Sequence, residues 1–167
     1  MEKFESMNVG ITGHQNIGSY PTIEWVKKEL EILIAELAVT HGHTCLAKGA
    51  DQVFAELLLA SEISYTAIIP AQDYLNTFVE EPSKQNYLRL RKCASNLILI
   101  PFEHSSSEAY YSASKKVVEF SDVVFAVWDG KPSKGLGGTA DVVSYAKKLG
   151  KQIVHLHTLK MVRFIIN

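Results

Sequence analysis

The chain has 167 residues, 47% of them hydrophobic and 21% charged, the size of one domain, since single domains run to roughly 100–200 residues and bury well over half of their unfolded surface. Seventeen Lys and Arg against eighteen Asp and Glu give a net charge of −1 and a pI near 6.6; no global field draws the chain to a polyanion, so nucleic acid is not expected as a partner. Cys45 and Cys93 stand outside any metal-spaced cluster, no apolar run approaches the roughly 18 residues of a membrane span, and the segment Met1–Ser6 lacks a basic-then-apolar leader, so a reduced cytoplasmic protein with no membrane association, structural zinc or other cofactor is expected.

Met7 to Thr12 reads as a strand running into the turn Gly13-His14-Gln15-Asn16-Ile17-Gly18. A helix follows, with Pro21 in its first turn and Ile23, Val26, Leu30, Leu33, Ile34 and Leu37 at three- and four-residue steps, until His41-Gly42 stops it. Thr44 to Ala47 is a second strand, ending at Lys48-Gly49-Ala50-Asp51; Val53, Phe54, Leu57, Leu58 and Ala60 then mark a buried helix. Tyr65 to Ile69 is a third strand, ended by Pro70. From Ala71 to Ser95 the pattern weakens around Glu80-Glu81-Pro82, with a helix expected over Tyr87 to Ala94. Leu97 to Ile100 is a fourth strand and Ala109 to Phe120 a helix. Val123 to Trp128 is apolar throughout, as in a strand that a parallel sheet buries on both faces. Thr139 caps a last helix carrying Val142, Val143, Ala146 and Leu149, Gly150 ends it, and Gln152 to Leu156 is a sixth strand; the tail from Leu159 to Asn167 could pack or pair. Strands alternating with helices over short connections imply one doubly wound α/β domain over 1–167, with a mostly parallel sheet.

In such a sheet the ligand crevice lies beyond the carboxyl ends of the strands. Gly10, Thr12, Gly13 and His14 bring backbone amides to the start of a helix, where an anion is favoured. Neither a G-x-G-x-x-G fingerprint nor the Lys of a P-loop is present. Gly49 and Asp51 offer a tight turn and a carboxylate that serves either as an N-cap or as a ligand contact. Asp73, after the third strand, is a candidate ribose contact. The richest segment runs from Trp128-Asp129-Gly130 to Gly137-Gly138-Thr139: a basic loop with Lys131 and Lys134 opens a helix where the missing side chains of Gly137 and Gly138 let phosphate reach the amides and Thr139 adds a hydroxyl. His14 could contact phosphate or act as a base.

Taken in order, Gly10-x-Thr12-Gly13-His14, Gly49-Ala50-Asp51, Ser121-Asp122, Trp128-Asp129-Gly130 and Gly137-Gly138-Thr139 resemble the SLOG superfamily, which includes LOG-type phosphoribohydrolases, DprA-like and YpsA-like proteins. The resemblance implies a Rossmann-like three-layer sandwich holding a small-molecule nucleotide or nucleotide derivative, often as a homodimer. LOG-type enzymes cleave the N-glycosidic bond of a nucleoside monophosphate with a carboxylate in P-G-G-x-G-T-x-x-E and an arginine on the helix before Ser-Asp. Here Val142 falls at the glutamate position and Ala113 at the arginine position. Asp141 is the candidate catalytic carboxylate of the enzymatic alternative, although one residue turns a helical side chain by about 100°, and a first-turn Asp also suits the helix dipole. The expected function is therefore nucleotide-type binding without the intact LOG motif, with N-glycosidic cleavage and a ligand-free regulatory module as its rivals.

Overall fold

The apolar run Val123–Trp128 forms the strand its composition predicts, with every residue through Val127 buried. The computed structural model describes residues 5–167; the first four, part of the segment expected to lack a leader, lie outside the described residues. Seven strands, β1 (Asn8–Gly13), β2 (His41–Thr44), β3 (Ser64–Ile69), β4 (Asn96–Leu99), β5 (Val123–Trp128), β6 (Gln152–His157) and β7 (Val162–Ile166), make one sheet in the order β4-β3-β2-β1-β5-β6-β7. All neighbours are parallel except β6 and β7, so the tail forms an antiparallel edge. Helices α1 (Tyr20–Glu36), α2 (Ala50–Ala60), α3 (Glu81–Cys93), α4 (Ser107–Glu119) and α5 (Thr139–Lys148) cover both faces. This is the doubly wound α/β Rossmann-like sandwich. Among the described residues no helix is long and apolar enough to cross a membrane.

Side chains alternate along β5. Val123, Phe125 and Val127 join α1, α2 and α3 in one core, where Phe125 meets Phe54 edge-on at 5.9 Å. Val124 and Ala126 join Val118, Val142, Val143 and Ala146 on the other face. The chain climbs from β1 outward to β4 and then returns through α4 to lay β5 beside β1. Gly10 permits that return. A Cβ there would stand 2.5 Å from Ser121 Oγ and 2.6 Å from a Val117 methyl, so only hydrogen lets the end of α4 reach the strand.

Several local expectations shift. The second strand lies at His41–Thr44 instead of Thr44 to Ala47, pairing Asn8 with His41 and Gly10 with His43. The first helix stops earlier, at Glu36, and Gly42 lies within β2 with Leu58 packed where its side chain would be. The ring nitrogens of His41 bond to the hydroxyls of Ser64 and Thr66 at 2.7 and 2.8 Å, pinning β2 to β3. The weak middle segment is a full helix: Pro82 occupies the first turn of α3, where its missing N–H costs nothing, and Tyr87 and Leu90 are buried. The Tyr65 hydroxyl donates to the Leu90 carbonyl. Gly138, and not Thr139, is the N-cap of α5; Leu149 is its C-cap and is exposed.

Truncation of Phe125 to Ala should cost about 3–5 kcal/mol, the range for a large buried aromatic, measured by urea unfolding. His43 yields a pH prediction. Burial, then His41, push its imidazole down to about 4 against the pull of Asp122, and Nδ1 has no hydrogen-bond partner. The unfolded chain takes up this proton near 6.5, so the stability gained from a neutral His43 is full above pH 6.5 and is lost as pH falls toward 4. Buried Asp51 acts in the opposite sense, its carboxyl being raised to about 7, so the comparison must be differential: His43→Leu should lose less stability between pH 7 and 4.5 than the parent chain.

Candidate functional site

The carboxyl ends of β1 and β5 part at the switch point of the sheet, and the loops after β1, β2, β3 and β5 surround a cleft of about 780 Å³ there. Thr12, Gly13, His14, Asp51, Asp129, Gly137, Gly138 and Thr139 all line it, as do Lys131 and Lys134. Gly10, Gly49, Asp73 and Asp141 do not. Gly10 is the contact with α4. Gly49 (φ 89°) lies against the carbonyls of His14 and Gln15 and is the N-cap of α2. Asp73 accepts the amide and hydroxyl of Ser105, both at 2.7 Å, tying the loop after β3 to the loop before α4; those bonds, Ser105's hydroxyl first, hold its carboxyl below the usual range.

Asp141 Oδ2 accepts the Gly137 amide at 2.9 Å, and its own amide donates to Ser133 Oγ at 3.3 Å. The carboxylate therefore braces the loop at a residue with φ 87°, which glycine adopts freely. The two positions where the LOG pattern has its arginine and glutamate hold Ala113 and Val142, each buried in an apolar cluster and neither lining the cleft. Ser121 and Asp122 are also structural: Ser121 Oγ donates to the Val117 carbonyl at 2.6 Å, and Asp122 Oδ2 accepts the Asn8 amide at 2.8 Å.

At the start of α5 the amides of Gly138, Thr139 and Ala140 have no acceptor among the described residues, whereas those of Gly137, Asp141 and Val142 are satisfied. Three donors at the positive end of a ten-residue helix thus border the cleft. Lys131 and Lys134 form no ion pair among the described residues, while Lys48 is held by Glu80 at 2.7 Å. Across from them His14 Nε2 lies 3.2 Å from both the amide and the Oδ1 of Asp129. A neutral ring accepts the amide proton and a protonated ring donates to the carboxylate; one nitrogen cannot do both at once. Burial works to raise the Asp129 carboxyl, but the Lys131 amide, His14 and the Lys131 charge together hold it below the usual range.

The buried part of the cleft joins Asp51, expected from the sequence as an N-cap or a ligand contact, to Cys45 and Tyr74, which were not among the expected site residues. Cys45, Asp51 and Tyr74 line it at 8%, 6% and 5% exposure. Asp51 is not the N-cap of α2: from inside the first turn its Oδ2 accepts the amides of Cys45 at 3.0 Å and Ala47 at 3.4 Å and the Thr44 hydroxyl at 3.3 Å. Burial raises its carboxyl to about 7 in spite of these three donors. Leu46, inside the loop that Asp51 binds, has φ 57°, a strained conformation for a branched side chain that surrounding bonds maintain. The buried Tyr74 phenol is not legible in the sequence, because the short 3-10 turn Tyr74–Thr77 leaves no periodicity to read.

No protein-family model matches the chain, and no curated protein matches it in sequence. Solved structures do. DNA processing protein A (DprA) of Streptococcus pneumoniae superposes with a TM-score of 0.66 at 17% identity over 90% of this chain. DprA of Helicobacter pylori, whose structure concerns its single-stranded DNA binding mode, gives 0.63 at 18% over 89%. The molybdenum cofactor binding protein of Rippkaea orientalis gives 0.60 at 17% over 95% of this chain and 83% of its own. The chain spans 50% and 64% of the two DprA chains. The exclusion of nucleic acid from net charge is thereby corrected: a fold shared with a single-stranded DNA binding protein removes its basis, because polyanion binding follows the local placement of cations and amides and not the sum over the chain. The resemblance read in the sequence extends to the fold, which this chain shares with DprA, TM1055 and the molybdenum cofactor carrier proteins.

Proposed function

We propose that the chain binds a small phosphate-bearing ligand of the nucleotide type in this cleft and does not carry out the LOG reaction. The observation that carries the reading is the set of unpaired amides on Gly138, Thr139 and Ala140, in a cleft that Lys131 and Lys134, free of ion pairs among the described residues, also line. A phosphate monoester supplies the acceptors those donors lack and the charge that the helix dipole favours. Gly13 and His14, on the neighbouring loop, would hold a second oxyanion or the sugar. The enzymatic alternative loses support at Asp141, whose carboxylate faces the Gly137 amide instead of the cleft.

A second reading places the backbone of single-stranded nucleic acid on the same donors, favoured by the likeness to the two DprA structures. The phosphate chemistry is shared; the readings differ in whether one phosphate or several must be engaged, which salt dependence reports.

Titration calorimetry with ribose 5-phosphate and with a single-stranded oligonucleotide tests both. Replacing the exposed Lys131 and Lys134 together with Glu should lower affinity for the ligand at least tenfold while the far-UV circular dichroism is unchanged; retained affinity would remove the assignment. Asp141→Ala should lower stability by about 1 kcal/mol through loss of the bond to Gly137, a shift of roughly 2–4 °C in melting temperature for a chain of this size.

A further inference from the structure

The buried polar groups of the cleft are left unused by the phosphate reading, on which the following inference rests. Asp51 commits only one carboxylate oxygen to the chain: Oδ2 takes all three donors and Oδ1 takes none. No Lys, Arg or His pairs with it among the described residues. The Tyr74 hydroxyl likewise makes no hydrogen bond there, although the residue is 5% exposed. The one enclosed side-chain polar atom without a partner among the described residues is His43 Nδ1; Asp51 Oδ1 and the Tyr74 hydroxyl are therefore open to the cleft that both residues line.

The two groups line one cleft. The ionisation of the Tyr74 phenol is raised first by burial and then by Cys45, Asp51, Tyr87 and Tyr110. Its ring is locked by edge contacts with Phe78, Tyr87 and Tyr110 at 5.2, 5.4 and 6.1 Å, so the hydroxyl cannot swing away to find a partner. Ser114, on α4, lines the same cleft.

Three ligand chemistries can be weighed against this arrangement. A second phosphate would meet a carboxyl with no cation to offset it, and burying that uncompensated charge is costly. An aliphatic group would cover two oxygens and leave both unpaired, forfeiting their hydrogen bonds to water. A flat, uncharged ring with donors and acceptors along one edge satisfies both oxygens. The Asp51 carboxyl, held partly protonated near neutral pH by burial, can donate or accept, and a phenol can do either. Phe78, Tyr74 and Tyr110 supply aromatic walls for a planar ring.

We propose that Asp51 and Tyr74 form a base-reading subsite, in which the heterocycle of a nucleotide exchanges hydrogen bonds with Asp51 Oδ1 and the Tyr74 hydroxyl while its phosphate rests on the first turn of α5. The subsite decides which nucleotide is held; the α5 amides decide only that a phosphate is present. Asp51 and Tyr74 act on the ligand directly.

Titration calorimetry of the whole chain with the adenosine, guanosine, cytidine and uridine 5′-monophosphates, set against ribose 5-phosphate, tests the subsite. At least one nucleotide should bind ten times more tightly than ribose 5-phosphate. Tyr74→Phe, which keeps the ring and removes the hydroxyl, should weaken that nucleotide about five- to tenfold, the range for one lost hydrogen bond, and leave ribose 5-phosphate within twofold. Asp51→Asn should do the same, and Tyr74→Phe keeps the test decisive where the amide at Asp51 fails to fold. Equal affinity for all four nucleotides and ribose 5-phosphate overturns the subsite while the phosphate reading stands. Equal weakening of nucleotide and ribose 5-phosphate by Tyr74→Phe also overturns it. Absence of binding by any of the five compounds overturns the phosphate reading and the subsite with it.

Discussion

The approach of α4 to β1 at Gly10 is the contact on which the crevice depends. The chain must leave the outer strand β4 and return past three strands to set β5 against β1, and Ser121 and Val117 come to rest where a side chain at position 10 would stand. Asp122 then receives the Asn8 amide and starts β5 in register. With β1 and β5 adjacent and their following helices on opposite faces, the two loops diverge and leave a space between them. Any side chain at position 10 would push α4 outward and shift β5, and with it the loop from Asp129 to Thr139.

Within that space, different physical devices hold the two groups of polar residues. The group at the start of α5 is made of backbone: amides at a helix start, kept in place by Asp141 through Gly137 and Ser133. Its charge lies on exposed lysines that cost little to hold. The buried part is made of side chains. One Asp51 oxygen ties together the loop from Thr44 to Ala47, including the strained Leu46, and the other takes no donor among the described residues. A carboxyl placed so deep without a cation stays only because three donors converge on it, and the same burial brings its ionisation near neutrality. The architecture thus separates an electrostatic element at the start of α5 from a buried hydrogen-bonding element at Asp51.

Much of the fold is legible in the chain because its physical cause is local. The apolar run at β5 can be nothing but a buried strand, and the three- and four-residue spacing from Ile23 to Ile34 can only be a helix face. Glycines at Gly137 and Gly138 before Thr139 mark a helix start that a ligand can approach. What was misplaced has non-local causes. His41 and Gly42 look like a helix stop, yet Gly42 is a strand residue because Leu58, from a later helix, fills the space above it. Pro82 resembles an interruption but starts α3, whose hold on the sheet comes from Tyr65 reaching Leu90.

The sequence by itself determined the alternation of strands and helices, the parallel sheet and the loops that end at its carboxyl edge, since periodicity and glycine placement act over a few residues. Tertiary structure alone decided which of those loops' residues face the cleft. Asp51, Asp73 and Asp141 are three carboxylates in three post-strand segments, alike in the sequence. Only the convergence of the Thr44, Cys45 and Ala47 donors on one Asp51 oxygen, the capture of Asp73 by Ser105 and of Asp141 by Gly137 separate one that lines the cleft from two that brace loops outside it. Those hydrogen-bond partners are set by packing between elements, which no local pattern encodes.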